Sequence, residues 1–221
     1  MSDGGHDHDH QHDHGHTHDH GDDHAPPSDE DGALTHYQML EIAMRELLIE
    51  KGVITADEVR AGVEEMDGRT PERGARVVAR AWLDPDFKER LITDGPAACA
   101  ELEIDVSPAR LTVVENTNDV HNVIVCTLCS CYPRPLLGLP PSWYKSSSYR
   151  SRTVREPRVV LEEFGTLIPN DVAVRVHDST ADLRYMVLPQ RPTGTENMAE
   201  AELAALVTRD SMIGTSVVAA P

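Results

Sequence analysis

Apolar positions along this chain change period near residue 103. From His36 onward Tyr37, Leu40, Met44, Leu47 and Leu48 recur at helical steps, and Gly52 closes the segment as a C-terminal cap does. Thr55-Ala56-Asp57-Glu58 is a capping box that opens a second helix to about Met66. Pro71 opens a third, with Val77, Val78, Ala81 and Trp82 apolar, and Asp84-Pro85 starts a fourth containing Phe87, Leu91 and Ile92. Residues 96–102 predict one more helical turn or two. The pattern then turns to strand: Leu111-Thr112-Val113-Val114 and Val120 to Val125 are rich in β-formers. Pro133, Pro135, Pro140 and Pro141 predict a stiff loop. Helices follow around Trp143–Arg150 and Pro157–Phe164, the latter stopped by Gly165. Val172-Ala173-Val174-Arg175-Val176 alternates like a half-buried strand, Tyr185-Met186-Val187-Leu188 makes another, and a last helix spans Met198–Thr208. The expected fold is α+β, an N-terminal helical arm over 34–102 followed by a layered mixed β-sheet core flanked by helices over 103–221.

Residues 1–33 have no such period. Nine histidines between His6 and His24 alternate with Asp, Gly and Gln, a composition that cannot build a core and predicts disorder. Such a tract can bind divalent metals loosely and so act as a store for a metal site, or it can be a plain solvating tail. It also carries much of the formal charge of -18: residues 1–32 hold ten Asp or Glu and no Lys or Arg, leaving 28 acids against 20 bases beyond. That balance argues against nucleic acid as a partner. The N-terminus lacks a signal-peptide pattern and no apolar run reaches membrane-spanning length, so no membrane is expected and a reducing cytoplasm is the expected location.

The chemistry concentrates in Cys126-Thr127-Leu128-Cys129-Ser130-Cys131, which holds three of the four cysteines. Thiolates this close converge on one soft or borderline cation and cannot form a disulfide framework. If Cys129 and Cys131 bind one ion, the backbone nitrogens of Ser130 and Cys131 lie between them. Ionised, those amides close a square of two sulfurs and two nitrogens, with Cys126 reaching in as an axial ligand. Amides ionise only for a strongly acidic metal, so trivalent cobalt, or less readily iron, fits better than zinc. Two rivals stay open on spacing alone. Zinc could take Cys126, Cys129, Cys131 and His121, and three buried thiols without metal could simply pack.

The segment Val125 to Pro133 resembles the metal-binding signature of nitrile hydratase α subunits, and Thr127 is similar to the cobalt form. The likeness extends through Ala79-Trp82-Asp84-Pro85, Leu136 to Lys145, Tyr149-Arg150-Ser151-Arg152, Val154 to Arg158, Val187 to Thr195 and Leu206 to Gly214, about residues 36–216. The resemblance implies one low-spin Co(III) ion per chain, held by the sulfurs of Cys126, Cys129 and Cys131 and the amides of Ser130 and Cys131. It implies that Cys129 becomes a sulfinic and Cys131 a sulfenic acid, and that both serve in catalysis. It further implies a β subunit that completes the active site with arginines, a metal-loading activator, and hydration of nitriles to amides. The source of the attacking oxygen stays open between activated water and the Cys131 sulfenate. Asp178 and Arg184 match outer positions of the family, while Asp182 stands where Glu is usual and Ser107-Pro108-Ala109-Arg110 where Gln is frequent. An ion-pair network at a strand edge is the plainer reading of Asp178, Asp182 and Arg184.

Arg134 departs from the Trp common in cobalt nitrile hydratases. Tyr132-Pro133-Arg134-Pro135 is similar instead to the γ subunit of thiocyanate hydrolase, where a guanidinium would attract the anion. Leu139-Pro140-Pro141 and Asn116-Thr117 look more like nitrile hydratase. The expectation is therefore a nitrile hydratase α subunit, with a thiocyanate hydrolase γ subunit as the alternative. A carrier of cobalt or nickel without enzymatic activity is a third reading.

Overall fold

The structure, a computed structural model, describes residues 34–221; the histidine-rich tail lies outside the described residues. Helix α1 (His36–Glu50) starts where Thr35 and Gln38 form a capping box: Thr35 Oγ1 accepts from the Gln38 amide at 3.3 Å and Gln38 Oε1 from the Thr35 amide at 2.8 Å. It belongs to an N-terminal unit that ends at Ile54. None of its residues is buried, so Tyr37, Leu40, Met44 and Leu47 are exposed despite their helical spacing.

The second unit runs from Thr55 to Pro221. The expected box of Thr55 and Glu58 opens α2 (Ala56–Asp67), which also buries nothing. Pro71 stands at the first turn of α3 (Pro71–Leu83), whose buried face comprises Gly74, Ala75, Val77, Val78, Ala79 and Ala81. Asp84 ends α3 and, with its carboxylate on the Phe87 amide at 2.9 Å, caps α4 (Pro85–Thr93); Asp94 does the same for α5 (Gly95–Glu101).

Strand β1 (Arg110–Glu115) pairs in parallel with β4 (Leu183–Leu188), and β2 (Val120–Val125) pairs in parallel with β3 (Ala173–Asp178). The α+β class is as expected, but the strands form two two-stranded parallel pairs rather than one continuous mixed sheet. Parallel partners need long crossovers, and the β2–β3 crossover is built from four short helices: α6 (Arg134–Leu137), α7 (Ser142–Lys145), α8 (Ser147–Arg155) and α9 (Pro157–Glu163). Two helices escape the sequence pattern. The proline-rich stretch read as a stiff loop contains α6, because proline suits the first turn and Leu136 and Leu137 are fully buried. Beyond α10 (Glu200–Leu206) the chain extends at Val207 and Thr208 caps a new turn, α11 (Arg209–Ile213). The helix expected near Trp143–Arg150 divides at Ser146, which ends α7 and accepts from the Tyr149 amide to begin α8.

Two glycines fix close approaches. A Cβ on Gly214 (φ +90°) would stand 2.0 Å from the Asn122 carbonyl oxygen, and one on Gly138 (φ +68°) 2.5 Å from that of Arg69. No helix among the described residues is long and apolar enough to cross a membrane.

Candidate metal centre

Strand β2 is buried from His121 to its end, which anchors Cys126 in the core with no exposed surface. The loop then turns back outward, leaving Cys129 exposed and Cys131 half-buried. The Cys129 amide donates to Cys126 Sγ at 3.3 Å; Cys126 and Cys129 sulfurs lie 3.5 Å apart, and Cys129 and Cys131 sulfurs 3.3 Å. All three fall within 4.8 Å of one another. These separations exceed a disulfide bond by more than an ångström, and the thiols are free. Three soft sulfur donors on one turn, one rooted in the core and two facing out, suit a single transition-metal ion.

Proton sharing within the cluster is uneven. Hydrogen bonds from the Cys131 and Cys126 thiols hold Cys129 below the usual thiol range. Burial, and then donation to Cys129, push Cys131 up. Cys129 therefore ionises more readily than Cys131, and Arg184 opposes the rise at Cys131.

Neighbouring elements grip the loop by its backbone. Asp178, at the end of β3, accepts from the Thr127 amide at 2.9 Å and from Thr127 Oγ1 at 2.6 Å. Arg150 Nη1 donates to the Thr127 carbonyl at 3.2 Å, Tyr144 Oη to the Cys131 carbonyl at 3.0 Å, and Tyr149 Oη to the Ile124 carbonyl at 2.7 Å. Tyr144 and Tyr149 are themselves wedged among Tyr132, Trp143 and Phe164 in edge-to-face contacts. The aromatic triplet at 143, 144 and 149 carried a visible signal, but nothing in the spacing assigned its hydroxyls to the loop.

A cavity of about 350 Å³ opens beside Cys129, Ser130 and Cys131. Arg134 and Arg184 line it, as do Arg69 and Arg110, two residues that sequence reasoning gave no role. The Ser107-Pro108-Ala109-Arg110 segment, where the family frequently has Gln, forms part of the wall. Arg184 donates to the Thr180 carbonyl, and Asp182 takes part through its backbone oxygen, which accepts from the Arg110 amide at 2.8 Å. Among the described residues no ion pair joins Asp178, Asp182 and Arg184, so the strand-edge network is not the reason these residues are placed as they are. His121 does not join the thiols. It is buried, donating from Nε2 to the Gly214 carbonyl at 2.7 Å and accepting from Asn116 Nδ2 at 3.3 Å through Nδ1, which removes the fourth ligand of the zinc reading.

An α+β fold whose buried strand delivers a compact set of three thiols beside a cationic cavity defines a chain suited to holding one transition-metal ion. The chain belongs to the nitrile hydratase alpha chain family, whose pattern it matches over residues 35–216. It is 53% identical, over 81% of its length and 87% of the relative's, to the low-molecular weight cobalt-containing nitrile hydratase subunit alpha of Rhodococcus rhodochrous. It is 44% identical to thiocyanate hydrolase subunit gamma of Thiobacillus thioparus, over 83% of this chain and 81% of that one. Among solved structures, a recombinant thiocyanate hydrolase with partially modified cobalt centres superposes with a TM-score of 0.78 at 43% identity, covering 85% of this chain and 92% of that one.

Proposed function

We propose that this chain is the α subunit of a cobalt nitrile hydratase, which hydrates nitriles to amides together with a β subunit. The observation that carries the reading is the three-thiol cluster at the end of β2 in a chain about half identical to cobalt-containing relatives. Cys126, Cys129 and Cys131, with the amides of Ser130 and Cys131, would hold a single trivalent cobalt. When bound, that ion supplies Lewis acidity, which polarises a carbon–nitrogen triple bond and acidifies water.

The chain's own residues set the frame for that chemistry. Asp178 holds Thr127 by two hydrogen bonds and so positions the turn between the buried and exposed thiols. Tyr144 holds the Cys131 carbonyl and thereby the peptide on which the last sulfur is mounted. Cys129 is exposed, which suits it to the sulfinic state, with Cys131 as the sulfenic partner. Arg184 lends positive charge to Cys131 from the cavity wall. The exposed apolar residues of α1, among them Tyr37, Leu40 and Met44, and separately Val63 and Met66 of α2, support contact with a partner chain. Residues 103–221 form the metal-binding catalytic part in this reading and 34–102 the helical arm. A metal-loading activator serves the enzyme, which works in the cytoplasm, and residues 1–33 serve as a solvating tail with incidental affinity for divalent metals.

Arg134 on the cavity wall favours a second reading, the γ subunit of a thiocyanate hydrolase. The cobalt-loaded complex, co-expressed with its partner, should be assayed in parallel on a small neutral nitrile and on thiocyanate. Amide formation with little carbonyl sulfide is the expected result; carbonyl sulfide and ammonia from thiocyanate, with nitriles poorly used, would move the assignment. Divalent metal that chelators strip from unoxidised cysteines would indicate a carrier instead.

A further inference from the structure

The cavity beside the thiols has an unusual charge balance. Arg69, Arg110, Arg134 and Arg184 line it, and no Asp or Glu does. Arg69 shares Glu65 with Arg73, at 3.4 Å in each case, so its charge is largely spent. Among the described residues Arg110, Arg134 and Arg184 form no ion pair.

The metal centre cannot absorb all of that charge. Three thiolates and two ionised amides around a trivalent ion leave two negative charges, and oxidation of sulfur to sulfinate and sulfenate leaves the count unchanged. Three unpaired guanidiniums exceed it by one. These groups come from separate places: β1 supplies Arg110, β4 Arg184 and α6 Arg134. The wall is held by its backbone, because the Arg110 amide is bonded to Asp182 and the Arg69 peptide lies against Gly138. Arginines supplied by a β subunit would only widen that excess; a negative charge on the substrate would offset part of it, and guanidinium forks match a carboxylate.

We propose that the preferred substrates are short nitriles that carry a carboxylate, held by Arg110 and Arg134 on the cavity wall while the nitrile end meets the thiol cluster. This substrate class rests on the nitrile hydratase reading. Thiocyanate shares the chemistry of a monoanion ending in a carbon–nitrogen triple bond, and its turnover is one arm of the test.

The experiment compares 3-cyanopropanoate with 4-methylpentanenitrile, in which an isopropyl group replaces the carboxylate, on the cobalt-loaded complex and its Arg110→Gln and Arg110→Lys variants. Calorimetric titration with propanoate, which has the charge and no nitrile, reads the site without turnover. The expected preference in kcat/KM for the anionic nitrile is about tenfold at low salt, the size of one charge-assisted contact. It should shrink as ionic strength rises, fall about tenfold in Arg110→Gln and survive in Arg110→Lys, with propanoate affinity following the same order. Hydration of 4-methylpentanenitrile in preference to 3-cyanopropanoate at every salt concentration would overturn the inference and leave the nitrile hydratase reading standing. If neither nitrile reacts and thiocyanate does, that reading fails and the substrate class falls with it; propanoate binding that depends on Arg110 then upholds the anion site alone, and no binding overturns that as well.

Discussion

Two polar clusters hang from strand β2, and they are built on opposite terms. Midway along the strand His121 and Asn122 are buried with Asn116 in a network that the protein closes by itself. His177 Nε2 donates to Asn122 Oδ1 at 2.8 Å, the Asn122 side-chain amide donates to Asn116 Oδ1 at 3.0 Å and to the Glu115 carbonyl at 2.8 Å, and His121 ends the chain on the Gly214 carbonyl. At the end of the same strand the three thiols have chiefly one another as partners, and two of them face outward. A satisfied buried network contributes to stability and specifies packing, whereas a crowded set of soft donors at the surface is chemistry held ready by the loop around it. Changes in the first cluster should therefore unfold the chain, and changes in the second should disarm it while leaving the fold.

The sharpest break is Cys129→Ala. Metal content of the purified complex should drop to background and nitrile hydration should fall by roughly a thousandfold, the scale on which a metal contributes several kcal/mol. The melting temperature of metal-free protein should barely move, since the side chain is exposed; a large loss there would erase the distinction between the clusters. Gly214→Ala should do the reverse. Its methyl group would meet the Asn122 carbonyl at 2.0 Å, a backbone atom that cannot turn aside as a flexible side chain would, so thermal melts should show a loss of about 3 kcal/mol or more, or insoluble protein. Unchanged stability would mean the α11 end is not tied to β2 as described.

Asp178→Asn lies between the two. The amide keeps one acceptor oxygen for two Thr127 donors, so metal retention or hydration should fall about ten- to a hundredfold at nearly constant melting temperature. The mildest test is pH. Burial lowers the pKa of His121 and, aided by Arg175, that of His177 from 6.5, so below that value the unfolded chain binds more protons than the folded one. The stability these imidazoles contribute is complete above about 6.5 and drains away as pH falls toward their lowered folded values. Melting temperature should decline over that window, and protonated His121 would set an N–H against the Asn116 amide. A His121→Gln variant should flatten the decline; an unaltered slope would assign it to other groups.

Local patterns were legible wherever one segment decides its own fate. The Thr55 capping box, the Asp84 cap and the prolines opening α3 and α4 set helix starts through bonds made within three residues. Strand β2 was legible because Val120 and the run Val123-Ile124-Val125 are β-formers that suit burial on both faces. Helix α6 was not, because its four residues are held by the burial of Leu136 and Leu137 rather than by any local period. Nor could spacing show that α1 and α2 bury nothing, since an amphipathic stripe looks the same whether it meets a core or faces outward.

Taken alone, the sequence determined that three thiols would meet on one turn, because two residues of chain between Cys126 and Cys129, and one between Cys129 and Cys131, leave them nowhere else to go. It also determined the residues that resemble a known metal signature. Tertiary structure decided the surroundings: that Asp178 reaches Thr127 from another strand, that Tyr144 turns its hydroxyl onto the loop and Tyr149 onto the end of β2, that His121 faces Gly214 instead of the thiols, and that Arg69, Arg110, Arg134 and Arg184 share one wall. The division follows from range. Ligand spacing is a property of a few consecutive bonds, while the charges and donors around it converge only when parallel strands and their long crossovers close, and no local pattern records which distant residue will arrive.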